Sequence, residues 1–388
     1  DISTSSWTTP FTNNDSDGIG HGHSADTQLY NATFTPADVR NGEEYINGLN
    51  VDFLSEPRPD DFELHSRVFT SNLSNASHIY TVGRDRTFST RVINGSIAEI
   101  ITFTTAQSDT ERQRIESYLA IKYGFTLDDT DNSGTIIEGD YIASDGSTKY
   151  WDYTVNSAFH NDIAGIGRDD TQVLNQKQSK SSNSDRIITV GLGNITADNP
   201  SNSNSFSSDK NFLVWGNDNT TLGATSTSGI LCATDLRLDR NWKIVETGSV
   251  GTVQVAALKS TIDTYLTNSN RSKAMIVADD AAYTTNVEFV TLTEQTIDGV
   301  TQYAGDYDFD GTKFFTFVEV GGITWKGSTS SWDGGQGTGG APSTNVLDND
   351  QLLTIDSEGT SNHATLPEDA QVGCVWVTAN SKLMVPTD

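Results

Sequence analysis

Residues 129–140 carry oxygen-bearing side chains at the spacing of a calcium-binding loop. In such a loop, hard oxygen ligands stand on alternate residues of a tight turn, and a carboxylate at position 12 closes the coordination shell. Gly134 falls at the sharp-turn position 6, and Ile136 falls at position 8. The ligands predicted for positions 1, 3, 5, 7 and 12 are Asp129, Asp131, Ser133, Thr135 (through its carbonyl oxygen) and Asp140. Ca²⁺ is therefore the predicted cofactor, and the alternative is an acidic surface loop that binds no metal.

The stretch "DYDFDGTKFFTF" gives a second, weaker match to a calcium loop. Asp306, Asp308 and Asp310 alternate before Gly311, but position 12 is occupied by Phe317, so the closing carboxylate is missing. A β-hairpin with an Asp-Gly turn explains the same residues without a metal.

Sequence motifs of the common enzyme classes are absent. The sequence contains no G-x-S-x-G and no H-E-x-x-H, and its two G-x-G stretches lack the third glycine of a dinucleotide site. Because the chain has 52 acidic residues, carboxylate pairs like those of glycoside hydrolases arise by chance. Cys232 and Cys374 form no metal motif, and whether they pair stays open. We expect a protein that is not an enzyme.

The first loop needs an element that holds it, and a helix is predicted directly before it, over residues 108–124. Ser108 is a favourable N-cap, and Glu111 three residues later completes a capping box. Ile115 and Leu119 lie on one stripe that can pack against a sheet. Gly124 supplies the C-terminal stop.

Most of the remaining chain alternates short apolar runs with polar turns, which is typical of antiparallel β-structure. We predict an all-β protein of tandem antiparallel β-sandwich modules, jelly-roll-like and joined by one amphipathic helix. The predicted domains are a partial sandwich at 1–107, the connecting helix at 108–124, a β-rich domain at 125–320, and the start of a further β module at 321–388. A Gly/Ser-rich stretch marks the last boundary.

The overall charge restricts the partners. Lys and Arg total 24 against 52 Asp and Glu, so the formal net charge is −28. Such a surface repels nucleic acid and anionic lipid, whereas it attracts divalent cations. No run of 18 apolar residues is present, so no membrane insertion is expected.

The segment "NGSIAEIITFTTAQSDTERQRIESYLAIKYGFTL" resembles the end of a LamG-type (concanavalin A-like) module of large surface proteins of Bacteroidota and some marine proteobacteria. Motifs such as "FHNDIAGIGRDD", "LNQKQSKSSNSD" and "DKNFLVWGND" are similar to the domain of unknown function associated with that module. "ITWKGSTSSWDGG" resembles the opening of a further module type. The resemblance covers about residues 94–332. It implies a secreted, modular, adhesive or structural protein, and it supplies no catalytic residues.

These observations predict a non-catalytic extracellular protein of the bacterial surface. Its expected partners are other copies of itself or other modules of the same precursor, and surface glycans. Because incomplete sheets recruit strands from other chains, assembly into a filament by strand pairing is a further hypothesis. The alternatives are a carbohydrate-binding lectin module and a glycoside hydrolase.

Overall fold

A computed structural model describes most of the chain between residues 95 and 320 and shorter pieces outside it. The described residues are 11–13, 41–52, 62–70, 80–83, 95–128, 136–183, 186–226, 236–269, 271–320, 322–325, 337–338, 352–355, 364–365, 374–377 and 383–384. The chain separates into two compact units, Asp1–Arg186 with Phe206–Val214 and Ile187–Ser205 with Trp215–Asp388. No helix among the described residues is long and apolar enough to cross a membrane.

The first unit combines short strands with helix α1 (Asp109–Tyr123), the short helix α2 (Tyr153–Asn156) and a 3₁₀ turn (Ser157–Phe159). Its strands are β1 (Phe11–Asn13), β2 (Glu43–Ile46), β3 (Leu49–Asn50), β4 (His65–Val68), β5 (Tyr80–Val82), β6 (Tyr141–Ile142), β7 (Lys149–Trp151), β8 (Asn161–Asp169), β9 (Leu174–Gln176) and β10 (Gln178–Lys180). Antiparallel pairs join β1 to β5, β6 to β7, and β8 to β9.

A three-stranded sheet in the first unit is built around a tight hairpin. Strand β2 pairs antiparallel with β3 on one side and with β4 on the other. Asn47 and Gly48 form the two-residue turn between β2 and β3 with φ of 50° and 93°. Two-residue hairpins of this type require positive φ at both positions, which favours Asn-Gly.

The second unit contains strand β11 and strands β13 to β21, together with helix α3 (Lys259–Tyr265). Its strands are β11 (Ile188–Leu192), β13 (Ala224–Ser226), β14 (Leu236–Leu238), β15 (Trp242–Thr247), β16 (Val253–Leu258), β17 (Ser272–Ala278), β18 (Glu288–Thr291), β19 (Thr293–Ile297), β20 (Val300–Tyr307) and β21 (Thr312–Val320). Strand β12 (Phe212–Asn217) is divided between the two units.

Two antiparallel sheets make up the described core of the second unit. One sheet has the order β11-β16-β20-β19. In the other, β21 pairs with β14 and β15 on one side and with β17 on the other, since Phe315 lies opposite both Trp242 and Val277. The all-β, antiparallel fold class predicted from the sequence is confirmed here.

The Asp-Gly turn at residues 310–311 does not form the hairpin considered for it. Strands β20 and β21 lie in different sheets, so the segment between them carries the chain from one sheet to the other. The Asp-Gly hairpin of this unit is instead Asp298-Gly299, which joins β19 to β20 with φ of 47° and 75°. Local sequence alone does not distinguish the two because each Asp-Gly pair stands between two strands.

After Val320 the described pieces pair differently. They are β22 (Gly322–Trp325), β23 (Gly337–Thr338), β24 (Leu352–Ile355), β25 (Ala364–Thr365), β26 (Cys374–Val377) and β27 (Leu383–Met384). Strands β22, β24 and β26 pair in parallel, as do β25 and β27, whereas β22 and β23 are antiparallel. The antiparallel prediction therefore does not extend to this segment. Cys232 lies outside the described residues.

Candidate functional site

Helix α1 begins and ends at the predicted residues. The backbone N–H of Glu111 donates to Ser108 Oγ at 3.4 Å, and the backbone N–H of Ser108 donates to Glu111 Oε2 at 3.0 Å. The N–H and the hydroxyl of Ser108 both donate to Glu111 Oε2, which lowers the pKa of the Glu111 carboxyl. At the other end Gly124 has a φ of 73°, and a Cβ there would collide with the carbonyl oxygen of Lys180. The predicted capping box and glycine stop are confirmed.

The C-terminus of helix α1 is attached to the segment "SKSSN". The carbonyl oxygen of Gly124 accepts hydrogen bonds from the backbone N–H of Ser182 at 2.6 Å and from its hydroxyl at 3.0 Å. Asn183 Oδ1 accepts from the N–H and the hydroxyl of Thr126, both at 3.2 Å. Two motifs that are distant in the sequence are therefore joined by hydrogen bonds of main-chain and side-chain atoms.

The buried face of helix α1 is more polar than its apolar stripe suggested. Leu119 is buried as predicted, but Ile115 is only half-buried. The buried residues are Arg112, Gln113, Glu116, Ser117, Leu119, Ala120 and Ile121. Some of their polar atoms bond within the protein: Ser117 Oγ accepts from the N–H of Ile142 at 3.0 Å, for example. A search for apolar periodicity cannot find such a face.

Of the first predicted calcium loop, only Asp140 among the five ligands falls within the described residues; Asp129, Asp131, Ser133 and Thr135 lie outside them. Asp140 is buried, with Oδ2 at 2.7 Å from Lys149 Nζ and Oδ1 accepting from the N–H of Tyr153 at 2.8 Å. A cation at Asp140 would therefore compete with the ammonium group of Lys149.

The three carboxylates of the second predicted loop do not converge. Asp306 stands on β20, where its Oδ1 accepts from Gln254 Nε2 at 3.3 Å. Asp308 and Asp310 flank Phe309, whose side chain is 1% exposed. Among the residues that the structure describes, no group of three or more His, Cys, Asp or Glu side chains has an arrangement that could hold a metal ion.

The glycines of "GIGRDD" permit close packing. A Cβ on Gly165 would approach the side chains of Ile121 and Val214 to within 2.8 and 2.9 Å, and a Cβ on Gly167 would collide with the ring of Phe212. That ring stacks on Tyr150 with centroids 4.1 Å apart. Strand β8 is therefore glycine-rich because aromatic and aliphatic side chains cross directly over its backbone.

Asp169, in the same motif, is fully buried and joins three segments of the first unit. It accepts from the N–H of Ser144 at 2.8 Å, from the Ser144 hydroxyl at 2.7 Å, from the N–H of Thr171 at 3.2 Å and from Lys210 Nζ at 2.8 Å. Burial opposes the charge, but Lys210 and Ser144 lower the pKa of Asp169. The residue is a structural anchor, which its sequence context did not reveal.

His160 is a second buried anchor. Trp151 donates its indole N–H to His160 Nδ1 at 3.0 Å, and His160 Nε2 lies 2.8 Å from the carbonyl oxygen of Leu127. Because an indole N–H only donates, Nδ1 must accept and the ring proton resides on Nε2. This neutral imidazole borders a cavity of about 310 Å³ whose lining is Ile46, Asn47, Leu49, Val51, Thr126, Leu127, Asp128 and His160.

Charged side chains lie on both faces of the sheet β2–β3–β4. Arg112, Glu116 and Glu138, which we call the charge cluster, are on the side of Tyr45 and helix α1. Glu44 is buried, and His65 and Arg67 half-buried, on the opposite face of the sheet. Arg112 Nη1 is 2.8 Å from Glu116 Oε2, and Arg67 Nε is 2.8 Å from Glu44 Oε2. The Arg112 guanidinium also stacks 3.6 Å from the centroid of the Tyr45 ring. The sequence did not indicate these charged groups, because they come from segments up to 94 positions apart.

A family model for a domain of unknown function (DUF8202) matches residues 111–307. The match covers half of the chain, and the protein belongs to this family. No curated protein and no solved structure matches the chain.

Proposed function

We propose that this member of the DUF8202 family is a non-catalytic structural or adhesive module of a secreted bacterial surface protein. The supporting observation is that its motif residues make contacts inside the protein. His160 has both ring nitrogens in internal contacts, and Asp169 accepts four hydrogen bonds within the protein. Gly124 and Gly167 are required by close packing. Catalytic groups must instead reach a substrate atom.

A finer proposal is that residues 1–107 belong to a LamG-type sandwich. Its support is the antiparallel sheet β2–β3–β4 and the segment before helix α1. In that segment Glu99 Oε2 binds Lys122 Nζ at 2.8 Å and the Tyr123 hydroxyl at 2.9 Å. Residues 96–104 pair with no other described strand, and their side chains Ile97, Ile100, Ile101 and Phe103 are 37–51% exposed.

We also propose that copies of the protein assemble by pairing of their strands. An unpaired extended segment presents backbone N–H and C=O groups to which another strand can add. Head-to-tail addition that does not close into a ring produces a filament. Light scattering and electron micrographs of the purified chain test this step. Oligomers that Ile101→Lys abolishes would support it, and monodisperse monomers at all concentrations would exclude it.

Calcium binding at Asp129, Asp131, Ser133, Thr135 and Asp140 belongs to the same proposal. An ion bound only by the folded state raises stability by RT ln(1 + [L]/Kd), about 2.7 kcal/mol at a hundredfold excess over Kd. The measurement is thermal unfolding with calcium and with chelator, on the native protein and on Asp131→Ala, with Asp308→Ala as the matched control. We expect the calcium shift in the native protein and in the control only. Equal shifts in all three would place the ion elsewhere.

Assays of glycan binding and of polysaccharide hydrolysis distinguish the structural module from its two alternatives. We expect polysaccharides to remain uncleaved, and a glycan array separates a structural module from a lectin. Glycan binding by the purified chain would favour the lectin, and hydrolysis that a single carboxylate substitution abolishes would establish a glycoside hydrolase. In either case the structural proposal would fail.

A further inference from the structure

We propose that helix α1 and the residue Asp128 form a docking surface for a β-hairpin from the chain before the family domain. The occupant is the hairpin of β2 and β3, and the partner that fits is a two-residue hairpin with the sequence Tyr-x-Asn-Gly, here residues 45–48. The family model begins at residue 111, so the occupant lies outside the domain that it matches. This inference concerns a contact within the first unit and does not depend on the proposed function.

The ring of Tyr45 marks the face of the hairpin that meets helix α1. Tyr45 is buried, and the Arg112 guanidinium lies 3.6 Å from its ring centroid. Because side chains alternate between the two faces of a strand, Glu44 and Ile46 lie on the other face. A guanidinium can stack on an aromatic ring while its N–H groups donate in its plane, which a lysine ammonium cannot do. Tyr45 on the hairpin and Arg112 on the helix are therefore a matched pair.

The Asn-Gly turn of the hairpin bonds to the docking surface through its main chain. The carbonyl oxygen of Asn47 accepts from the N–H of Asp128 at 2.7 Å, and that of Gly48 accepts from Arg112 Nη1 at 3.4 Å. The turn is fixed from its other side by Asn47 Oδ1, which accepts from the N–H of Leu64 at 2.8 Å. Because both turn residues have positive φ, few residue pairs other than Asn-Gly would present the two carbonyl oxygens in this way.

The docking surface on helix α1 is polar. Arg112 and Glu116 are buried, and Nη1 of the first lies 2.8 Å from Oε2 of the second. Gly48 lies against them, because a Cβ there would stand 3.6 Å from Glu116 Oε2. Arg112 Nε and Nη2 have no hydrogen-bond partner within the described part of the chain. Without the hairpin, water would hydrate these groups, so the contacts of Arg112 with Tyr45 and Gly48 must offset the lost hydration. Polar surfaces of this kind are typical of contacts between modules.

Two backbone amides of the family domain distinguish undocking of the hairpin from general unfolding. The N–H of Asp128 donates to Asn47 across the docking contact. The N–H of Ile142 donates to Ser117 Oγ, and both of these residues belong to the family domain. Undocking alone therefore exposes the amide of Asp128 to solvent and leaves the amide of Ile142 protected from hydrogen exchange.

The first test is a double-mutant cycle on the full chain, measured by hydrogen exchange at these two amides. Tyr45→Leu removes the ring, and Arg112→Lys removes the planar guanidinium but keeps the charge. Each should lower the protection of the Asp128 amide roughly tenfold, and the double variant should lose no more than the larger single loss, because both remove the same contact. Tyr45→Phe, the matched control, loses only the hydroxyl bond to Glu43 and should keep the protection. An unchanged Asp128 amide in the single variants, or losses that multiply in the double variant, would overturn the proposal.

The second test asks whether the docking surface holds the hairpin without the covalent connection. A protease site between residues 84 and 94, cut after folding, leaves β1 to β5 on one piece and helix α1 on the other. We expect the two pieces to elute together in non-denaturing gel filtration. The concentration at which they separate should rise about tenfold in Tyr45→Leu and stay unchanged in Tyr45→Phe. Pieces that separate at every concentration, or an association that Tyr45→Leu leaves unchanged, would overturn the proposal. If the amides of Asp128 and Ile142 lose protection together in the first test, this measurement decides.

Discussion

The interiors of the two units are stabilised by different kinds of side-chain contact. The second unit packs aromatic rings: the centroid of Trp242 lies 5.7 Å from that of Phe315 and 5.5 Å from that of Phe317. The first unit also packs aromatic rings, such as Tyr150 on Phe212. Among them it buries polar side chains that bond within the protein, such as Asp169, His160 and Glu116. The comparison separates stability that depends on side-chain volume from stability that depends on specific partners. Substitutions in each unit test this difference.

The largest effect is expected from removing volume in the second unit. Phe317 is fully buried between Trp242 and Phe315. Phe317→Ala should lower the free energy of unfolding by about 3–5 kcal/mol, because a buried phenyl ring leaves a cavity. Phe317→Leu, the volume-matched control, should cost much less. Urea unfolding measures both, and equal losses would argue against a packing-dominated interior.

In the first unit, a change that keeps volume but removes partners should be costly. His160→Phe retains a ring but leaves the Trp151 indole N–H and the Leu127 carbonyl without the bonds they now make. We expect a loss of roughly 2–3 kcal/mol in the free energy of unfolding, since a buried polar group without a partner costs about 1–3 kcal/mol. A stability equal to that of the native protein would remove the distinction between the units.

A smaller effect should follow from Gly124→Ala at the end of helix α1. Gly124 has a φ of 73°, where a Cβ is unfavourable by about 1–2 kcal/mol, and the added methyl group would also meet the carbonyl of Lys180. We expect a loss of about 2 kcal/mol in thermal or urea unfolding. Gly299→Ala is a suitable control because it has a φ of 75° but open space around it. Equal losses at both positions would show that only backbone strain matters.

The smallest effect is expected at the N-cap of helix α1. Ser108→Ala removes the hydroxyl that accepts from the N–H of Glu111 and should cost about 1 kcal/mol. Ser108→Asp is the control that keeps an acceptor and should be close to neutral. Circular dichroism during urea unfolding gives both values. A loss well above that of His160→Phe would reverse the expected order.

The sequence predicted those features that depend on neighbouring residues. Both ends of helix α1 are encoded locally and were found where expected. The charge cluster and the contacts of Asp169 were not predicted. Lys210 and Ser144 are distant from Asp169 in the sequence and become its hydrogen-bond partners only in the folded chain. The Asp-Gly turn was misassigned for a related reason: its two flanking strands belong to different sheets. Calcium binding at the predicted ligands stays a prediction.

The central claim is that motif residues of this family hold the fold, and Asp169 tests it most directly. The measurement is hydrogen exchange at the amides of Ser144 and Thr171, together with urea unfolding, in Asp169→Ala and the native protein. The account predicts that both amides, which donate to Asp169, lose protection and that the free energy of unfolding falls by roughly 3 kcal/mol. A variant that is as stable as the native protein, with both amides still protected, would contradict the claim and leave Asp169 free for another role.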